Sequence, residues 1–173
     1  NMGEYCVWKW PNDPGMESAM VLAKVIYEDF VAGGVVSWQW WLCVSRHEFC
    51  DGLVYVTDRV GDVKPSKRLW AFGNYTKFVR PGYKVIDVKV NNKDLNISAY
   101  VGDQAREVIV VVVNNAKDNK AIELSIKDVN AVNNLQVHET SSDKDLEKIY
   151  EGKWKSEHRI PPQSVTTFLA DYK

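Results

Sequence analysis

The sequence has no long apolar run. Its longest, Val108 to Val113, is far too short to span a bilayer, so no transmembrane segment is expected. Charge of one sign is missing too: 22 Lys and Arg stand against 23 Asp and Glu, for a formal net charge of -1. Without a basic field to draw phosphates, nucleic acid is not an expected partner. Cysteine is scarce. Cys6, Cys43 and Cys50 make no disulfide framework, and their spacing matches no zinc motif. His47, His138 and His158 are scattered, lack metal-ligand spacing and have no Ser or Cys nucleophile beside them, so each reads as a surface residue. Gly33-Gly34 is a helix stop, because the Lys-Ser/Thr of a phosphate loop is absent. No metal and no cofactor is therefore expected. Length is short as well: 173 residues cannot hold a complete (β/α)₈ barrel, which takes about 250. No signal peptide is visible. The chain opens on Asn1 rather than Met, so it reads as a processed piece, and the missing signal does not decide the compartment.

Aromatic residues are abundant. Seven Trp, eight Tyr and five Phe make 12% of the chain, and all the Trp but Trp154 lie before residue 71. A Trp-rich half beside a Trp-poor half suggests two parts with different tasks.

The first half reads as strand, helix, strand, helix with short connections, the grammar of an α/β unit. Glu4 to Trp10 holds a short strand and a loop. Asp13 is placed to cap a helix with Pro14 at its first position. Ala19, Leu22, Ala23, Ile26 and Phe30 follow at helical spacing, and Gly33-Gly34 ends the run. Val35 to Leu42 is β-branched and aromatic, nearly apolar throughout, and reads as a strand buried on both faces. Cys43 to Gly52 looks like a polar loop and Leu53 to Thr57 like another short strand. A second helix opens at Pro65 or Ser66, carries Leu69, Phe72, Tyr75, Phe78 and Val79 on one side, and stops at Arg80-Pro81-Gly82.

After Gly82 the period changes from helical to alternating. Ile86, Val88 and Val90 alternate with polar residues, as do Leu95 to Val101, Ile122 to Ile126, and Leu135 with Val137. Turn signals separate them, at Asn91 to Asp94, Gly102-Asp103, Asn114 to Asn119 and Asn133-Asn134. Short alternating strands at this rhythm indicate an antiparallel β-sandwich. Val108 to Val113 and Val165 to Leu169 do not alternate. They read as strands covered on both faces, the former in part by the second helix. Asp143 to Lys155 carries mixed charge and reads as a solvated hairpin.

Several segments carry a family resemblance. Leu69 to Tyr83 reads LWAFGNYTKFVRPGY and resembles the last barrel helix and exit of glycoside hydrolase family 30. Ser37-Trp38-Gln39-Trp40-Trp41 resembles that family's eighth barrel strand, and Asp51-Gly52-Leu53-Val54 the connection after it. Met2-Gly3-Glu4-Tyr5-Cys6 resembles the end of the seventh strand, where the family keeps its nucleophilic Glu. Within the family, the Trp-rich strand looks closest to endo-1,6-β-galactanases; xylanases and glucosylceramidases are relatives. The resemblance implies an α+β chain: residues 1–82 as the last two βα units of a (β/α)₈ barrel, and residues 83–173 as an antiparallel β-sandwich. The first six strands and the fourth-strand acid/base Glu would be missing, as would an N-terminal strand of the sandwich.

The resemblance also implies roles. Glu4 would be the nucleophile of a retaining β-glycosidase acting on a β-linked, galactan-like polysaccharide. Trp41 and Trp38 would line the sugar site with Cys6 beside it, Trp8 would form an outer subsite, and Trp40 would pack outward. Read without the family, a Glu so near a terminus is a solvated residue, and a Trp on a buried strand is core. The implied enzyme is secreted, periplasmic or at the cell surface, and in that setting Cys43 and Cys50, which bracket Val44 to Phe49, could form a bridge. The isolated chain would be inactive and would associate with the missing barrel portion or with itself. The competing reading is a non-catalytic carbohydrate-binding or structural β-sandwich module.

Overall fold

The structure is a computed structural model that describes residues 1–57, 61–102, 104–127, 129 and 131–173. The chain is mostly β-sheet with two helices. Its elements are β1 (Met2–Tyr5), α1 (Met16–Val31), β2 (Trp38–Trp40), β3 (Val44–Ser45), β4 (Val54–Val56), β5 (Val63–Pro65), α2 (Lys67–Thr76), β6 (Lys84–Ile86), β7 (Leu95–Gly102), β8 (Glu107–Asn114), β9 (Lys120–Glu123), β10 (Val132–Thr140), β11 (Glu147–Lys153), β12 (Glu157–Ile160) and β13 (Ser164–Tyr172). No helix among the described residues is long and apolar enough to cross a membrane.

Six strands form one antiparallel sheet in the order β11-β10-β13-β8-β7-β6. Its centre is β8, whose register against β13 pairs Val111 with Thr167 and Val110 with Phe168. Side chains alternate between faces along a strand, so this one strand feeds two cores. Ile109, Val111 and Val113 pack with Leu22, Ala23 and Ile26 of α1 and Ala71 and Tyr75 of α2. Val108, Val110 and Val112 pack on the other face with Ile97, Leu135, Phe168 and Ile160, where Ile122 and Leu124 close over them. The small β12–β9 sheet covers this second face. The expected double coverage of Val108 to Val113 holds, and α1 shares the cover with α2.

The same rule explains His138. Alternation puts it on the polar side of β10, but α2 and the turn after it cover that side. His138 is buried, 4% exposed, with its ring 4.7 Å from that of Phe78. The reading of His138 as a surface residue is therefore corrected, whereas His47 is exposed.

Helix α1 starts two residues later than its capping signal. Gly15 occupies the cap position, yet Asp13 does the capping: its carboxylate accepts from the N–H groups of Gly15 at 2.8 Å and Ser18 at 2.7 Å. The helix ends as expected at the double glycine. Gly33 N–H donates to the Glu28 carbonyl, and Gly34 takes a φ of +59°, which suits glycine. Helix α2 begins after Ser66 and ends at Thr76, before Arg80-Pro81-Gly82.

Val35 to Leu42 departs furthest from expectation. Only Trp38–Trp40 is strand, and its burial runs half-buried, exposed, half-buried. It is covered on one face only: Trp38 and Trp40 pack against the helix-side core, while Gln39 between them is exposed. Ile86, Val88 and Val90 likewise give only the three-residue β6, which is exposed throughout and forms an edge of the sheet. Asp103, in one expected turn, lies outside the described residues. The charged stretch after Ser141 is a hairpin as expected, with β11 largely exposed.

Candidate functional site

Strands β1 and β2 run parallel, with Met2 opposite Trp38 and Tyr5 opposite Trp40. The pairing continues past β2, where Trp41 N–H donates to the Tyr5 carbonyl at 2.9 Å. Glu4 thus stands one residue before the point where the chain of Trp41 is fastened. Its side chain is exposed and has no ion pair or hydrogen bond among the described residues.

Cys6 follows at the strand end. Burial first, then the carboxylates of Asp51 and Glu4, push its thiol above the ordinary range. The thiolate is the nucleophilic form of cysteine, so this environment keeps Cys6 a neutral thiol.

The Trp residues divide. Trp38 and Trp40 sit two apart on a strand, so they share a face, and their rings stack with centroids 6.2 Å apart. Tyr5 packs against both, and Phe72 of α2 lies 5.6 Å from Trp38. Both indole N–H groups are used internally: Trp38 donates to Asp29 at 2.8 Å, and Trp40 to the Asp51 carbonyl at 2.6 Å. The expectation that Trp38 and Trp40 point in opposite directions is corrected. Trp41 faces out with 46% of its surface exposed, and the Trp41–Leu42 peptide is cis. Trp8 is 73% exposed and stacks on Phe49 at 4.9 Å. The segment bearing Trp8 is joined to the loop of Phe49 by Cys50 N–H donating to the Lys9 carbonyl.

One residue that sequence reading passed over holds this region together. Arg68 is fully buried and makes no ion pair with a carboxylate among the described residues. Its guanidinium donates to the carbonyls of Asp13 and Gly52, to Asn12 Oδ1, to Ser18 Oγ and to Tyr55 Oη. One side chain thereby ties the start of α1 to the loop before β4. A signal existed: residues 68, 71, 75 and 78 share a helical face, and the other three are apolar. Asp51 is 4% exposed, and its Oδ1 has no partner among the described residues.

The three thiols are free, correcting the Cys43–Cys50 bridge. Cys50 is buried with its sulfur accepting from Asp13 N–H, whereas Cys43 is exposed. Among the described residues no group of three His, Cys, Asp or Glu could hold a metal ion.

Residues 3–55 match the model of O-glycosyl hydrolase family 30. Over 172 residues, 94% of this chain, the sequence is 28% identical to the glucuronoxylanase XynC of Bacillus subtilis strain 168. The match covers 35% of that protein, so this chain spans about a third of its length. A conserved exported protein from Bacteroides fragilis has a similar structure, with a TM-score of 0.78 at 28% identity over 96% of this chain and 38% of that one. The family 30 subfamily 8 xylanase Xyn30A from Clostridium acetobutylicum gives 0.80 at 24% identity, over 98% of this chain and 42% of that one. The likeness is to the C-terminal part of family 30 proteins, and the enzymes named are xylanases rather than galactanases.

Proposed function

We propose that this chain is the C-terminal portion of a secreted, retaining β-glycosidase of glycoside hydrolase family 30, with Glu4 as its nucleophile. Residues 1–82 contribute the last two βα units of a (β/α)₈ barrel, and residues 83–173 form an attached β-sandwich. The observation that carries this is the parallel β1–β2 pair, which sets Glu4 and outward-facing Trp41 on adjacent strand ends. Carboxylates at the C-terminal ends of parallel strands are how such barrels build their sites. The relatives' names favour a β-linked xylan over the galactan suggested by the Trp-rich strand.

In this reading Glu4 attacks the anomeric carbon and forms a glycosyl-enzyme ester. A second carboxyl, about 5–5.5 Å away, protonates the departing oxygen and then activates water. Trp41 and Trp8 offer ring faces to the apolar C–H faces of the sugar, and Cys6 fills the wall beside Glu4 as a neutral thiol. Trp38, committed to Asp29 and Phe72, supports this surface from below. Among the described residues no second carboxylate takes the acid role, and positioned acid–base help is worth about 10²–10⁴-fold. The chain alone is therefore inactive and works when joined to the rest of the barrel.

The test is hydrolysis of glucuronoxylan, β-1,6-galactan and an aryl β-xyloside by this chain and by Glu4→Gln. No turnover by either, with turnover restored only to the wild-type chain when the remaining barrel is supplied, is the expected result. Turnover by the chain alone that vanishes in Glu4→Gln overturns the incomplete site. Turnover that survives in Glu4→Gln overturns the nucleophile.

A further inference from the structure

Two stretches of the chain have the form of an acceptor for Asn-linked glycosylation, Asn74-Tyr75-Thr76 and Asn96-Ile97-Ser98. Such a sequence ordinarily lies on the surface, because the glycan is bulky and hydrated. The structure puts the two in unlike places. Asn96 is half-buried near the start of β7. Its Oδ1 accepts from Asn115 Nδ2 at 2.6 Å, and its own Nδ2 makes no hydrogen bond among the described residues. Asn74 is fully buried where α2 docks on the six-stranded sheet. Both ends of its carboxamide are committed. Nδ2 donates to Thr167 Oγ1 of β13 at 2.9 Å, and Oδ1 accepts from Thr140 Oγ1 of β10 at 2.6 Å. Thr167 Oγ1 donates in turn to the Asn74 carbonyl at 2.8 Å. Both threonines are themselves fully buried, and Ala71 and Tyr75 of the same helix pack into the core beside them. Nδ2 is the atom to which a glycan is joined, and here it meets a strand rather than water.

Order of synthesis decides what this burial means. Thr140 and Thr167 lie 66 and 93 positions after Asn74. The acceptor is therefore made before either strand that buries it. Nor can α2 protect it alone. The helix has 10 residues, and an isolated helix shorter than about 12–15 residues is marginal in water. Until β10 and β13 arrive, Asn74-Tyr75-Thr76 is an open, unfolded acceptor, which is the form that a glycosylating enzyme takes up.

We propose that Asn74 is a glycan acceptor in the nascent chain whose modification keeps α2 from docking on the sheet, so that this protein reaches its fold only by an export route without Asn-linked glycosylation. The modification joins Asn74 Nδ2 to the anomeric carbon of an oligosaccharide carried on a lipid diphosphate. The bond from that carbon to the diphosphate oxygen breaks, the lipid diphosphate leaves, and Nδ2 gives up one proton. A sugar ring on Nδ2 would occupy the space that Thr167 and Thr140 fill, and the helix-side core could not close over it. Asn96 is a control within the same chain, because its Nδ2 has no part in that junction. The consequence for export rests on the reading of the protein as secreted; the blocked junction does not.

The test sends the 173-residue chain through a eukaryotic secretory pathway behind one cleavable leader, as wild type, Thr76→Ala, Asn96→Asp and the double variant. Thr76→Ala removes the Asn74 acceptor sequence at an exposed residue. Asn96→Asp removes the other and keeps an oxygen for Asn115. Made in a bacterial cytoplasm, all four are expected to fold alike and to resist trypsin. Through the secretory pathway, Asn96→Asp is expected to carry a glycan on Asn74, to be secreted at least tenfold less than the double variant, and to be open to trypsin. Wild type gives the same reading without a substitution. Thr76→Ala is expected to be secreted and trypsin-resistant like the double variant. Mass spectrometry of peptides after enzymatic deglycosylation reads occupancy site by site. A secreted, trypsin-resistant chain with a glycan on Asn74 overturns the proposal, and so does a secreted wild type left unmodified at Asn74. Retention of the double variant at the wild-type level overturns it too, because retention would then not come from Asn74. The leader sets the route, so none of these outcomes touches the reading of Glu4, which the hydrolysis assay decides.

Discussion

Val35 to Leu42 and Val108 to Val113 are both apolar runs, and they end in opposite situations. The second becomes β8, flanked by β7 and β13 and covered on both faces, with Ile109, Val111, Val112 and Val113 fully buried. The first shrinks to three strand residues with one neighbour, and Val36 beside it is 83% exposed. Apolar composition states what a strand tolerates. Whether it is buried depends on partners far away in the chain. The β8 region is held by area removed from water, whereas the β2 region is held by polar ties running through Arg68, Trp38 and Trp40.

The sharpest way to break that comparison is to place the same charge in both strands. Val110→Asp or Val111→Asp would bury a carboxylate between packed side chains and should cost about 4 kcal/mol or more. Gln39→Asp, on the exposed side of β2, should stay within about 0.5 kcal/mol. Urea unfolding curves decide it. Equal midpoints for Val111→Asp and wild type would mean that β8 is not the covered centre.

The next effect is at Arg68. Arg68→Met removes the guanidinium donor from the carbonyls of Asp13 and Gly52 and the hydroxyls of Ser18 and Tyr55, three of which keep one weaker neutral donor, at a cost of about 3 kcal/mol. Arg68→Lys should recover less than half of it, since an ammonium cannot span the same acceptors. Thermal unfolding of the two variants measures both.

Asp13→Ala should cost about 1 kcal/mol as a lost helix cap. This contribution depends on pH. Burial raises the Asp13 carboxyl, but hydrogen bonds from Ser18 and Gly15 and the nearby Arg68 outweigh it, so the folded pKa lies below its ordinary 3.8. The stabilisation is therefore complete above the unfolded value and is lost as pH falls through the folded one. Burial also lowers His138 and His158, which places their contribution above the ordinary 6.5 and removes it on acidification. Asp13→Ala and wild type should converge in stability below about pH 3.

The smallest effect is on stability and the clearest in kinetics. Thiol titration should find Cys43 fast, Cys6 slow because its thiol is pushed up, and Cys50 reactive only on unfolding. Under denaturing conditions without reductant all three should titrate; a count of one would restore the Cys43–Cys50 bridge.

Much of this was legible because it is local. The double glycine after α1, the Asp13 cap and the alternating strands all depend on neighbours within a few residues. The double cover of β8 was expected from its continuous apolar run, but the same reading failed for Val35 to Leu42, so the run alone did not decide it. What could not be read came from distant partners. Alternation correctly set His138 opposite Val137, yet only the packed chain shows that the end of α2 lies over it. Arg68 hid because a charged residue on an apolar helical face looks like an interruption until its acceptors, up to 56 positions away, arrive around it. That Trp41 faces away from Trp38 and Trp40 follows from alternation along the strand, but which face packs on α2 and Tyr5 depends on distant partners.

One contact ties residues from three segments into a single unit. A Cβ on Gly102 would come within 2.4 Å of the Tyr83 ring, and the Tyr83 hydroxyl donates to Glu107 at 2.6 Å. Burial, then Glu107, push that phenol up to about 12, so it stays a donor. For the lineage of this protein the consequence is a sequence constraint. Position 102 cannot gain a side chain while position 83 keeps its ring, and a ring lost at 83 leaves an acid at 107 with nothing to answer it. The three positions are therefore expected to drift together or not at all, as a linked trio in any set of descendants.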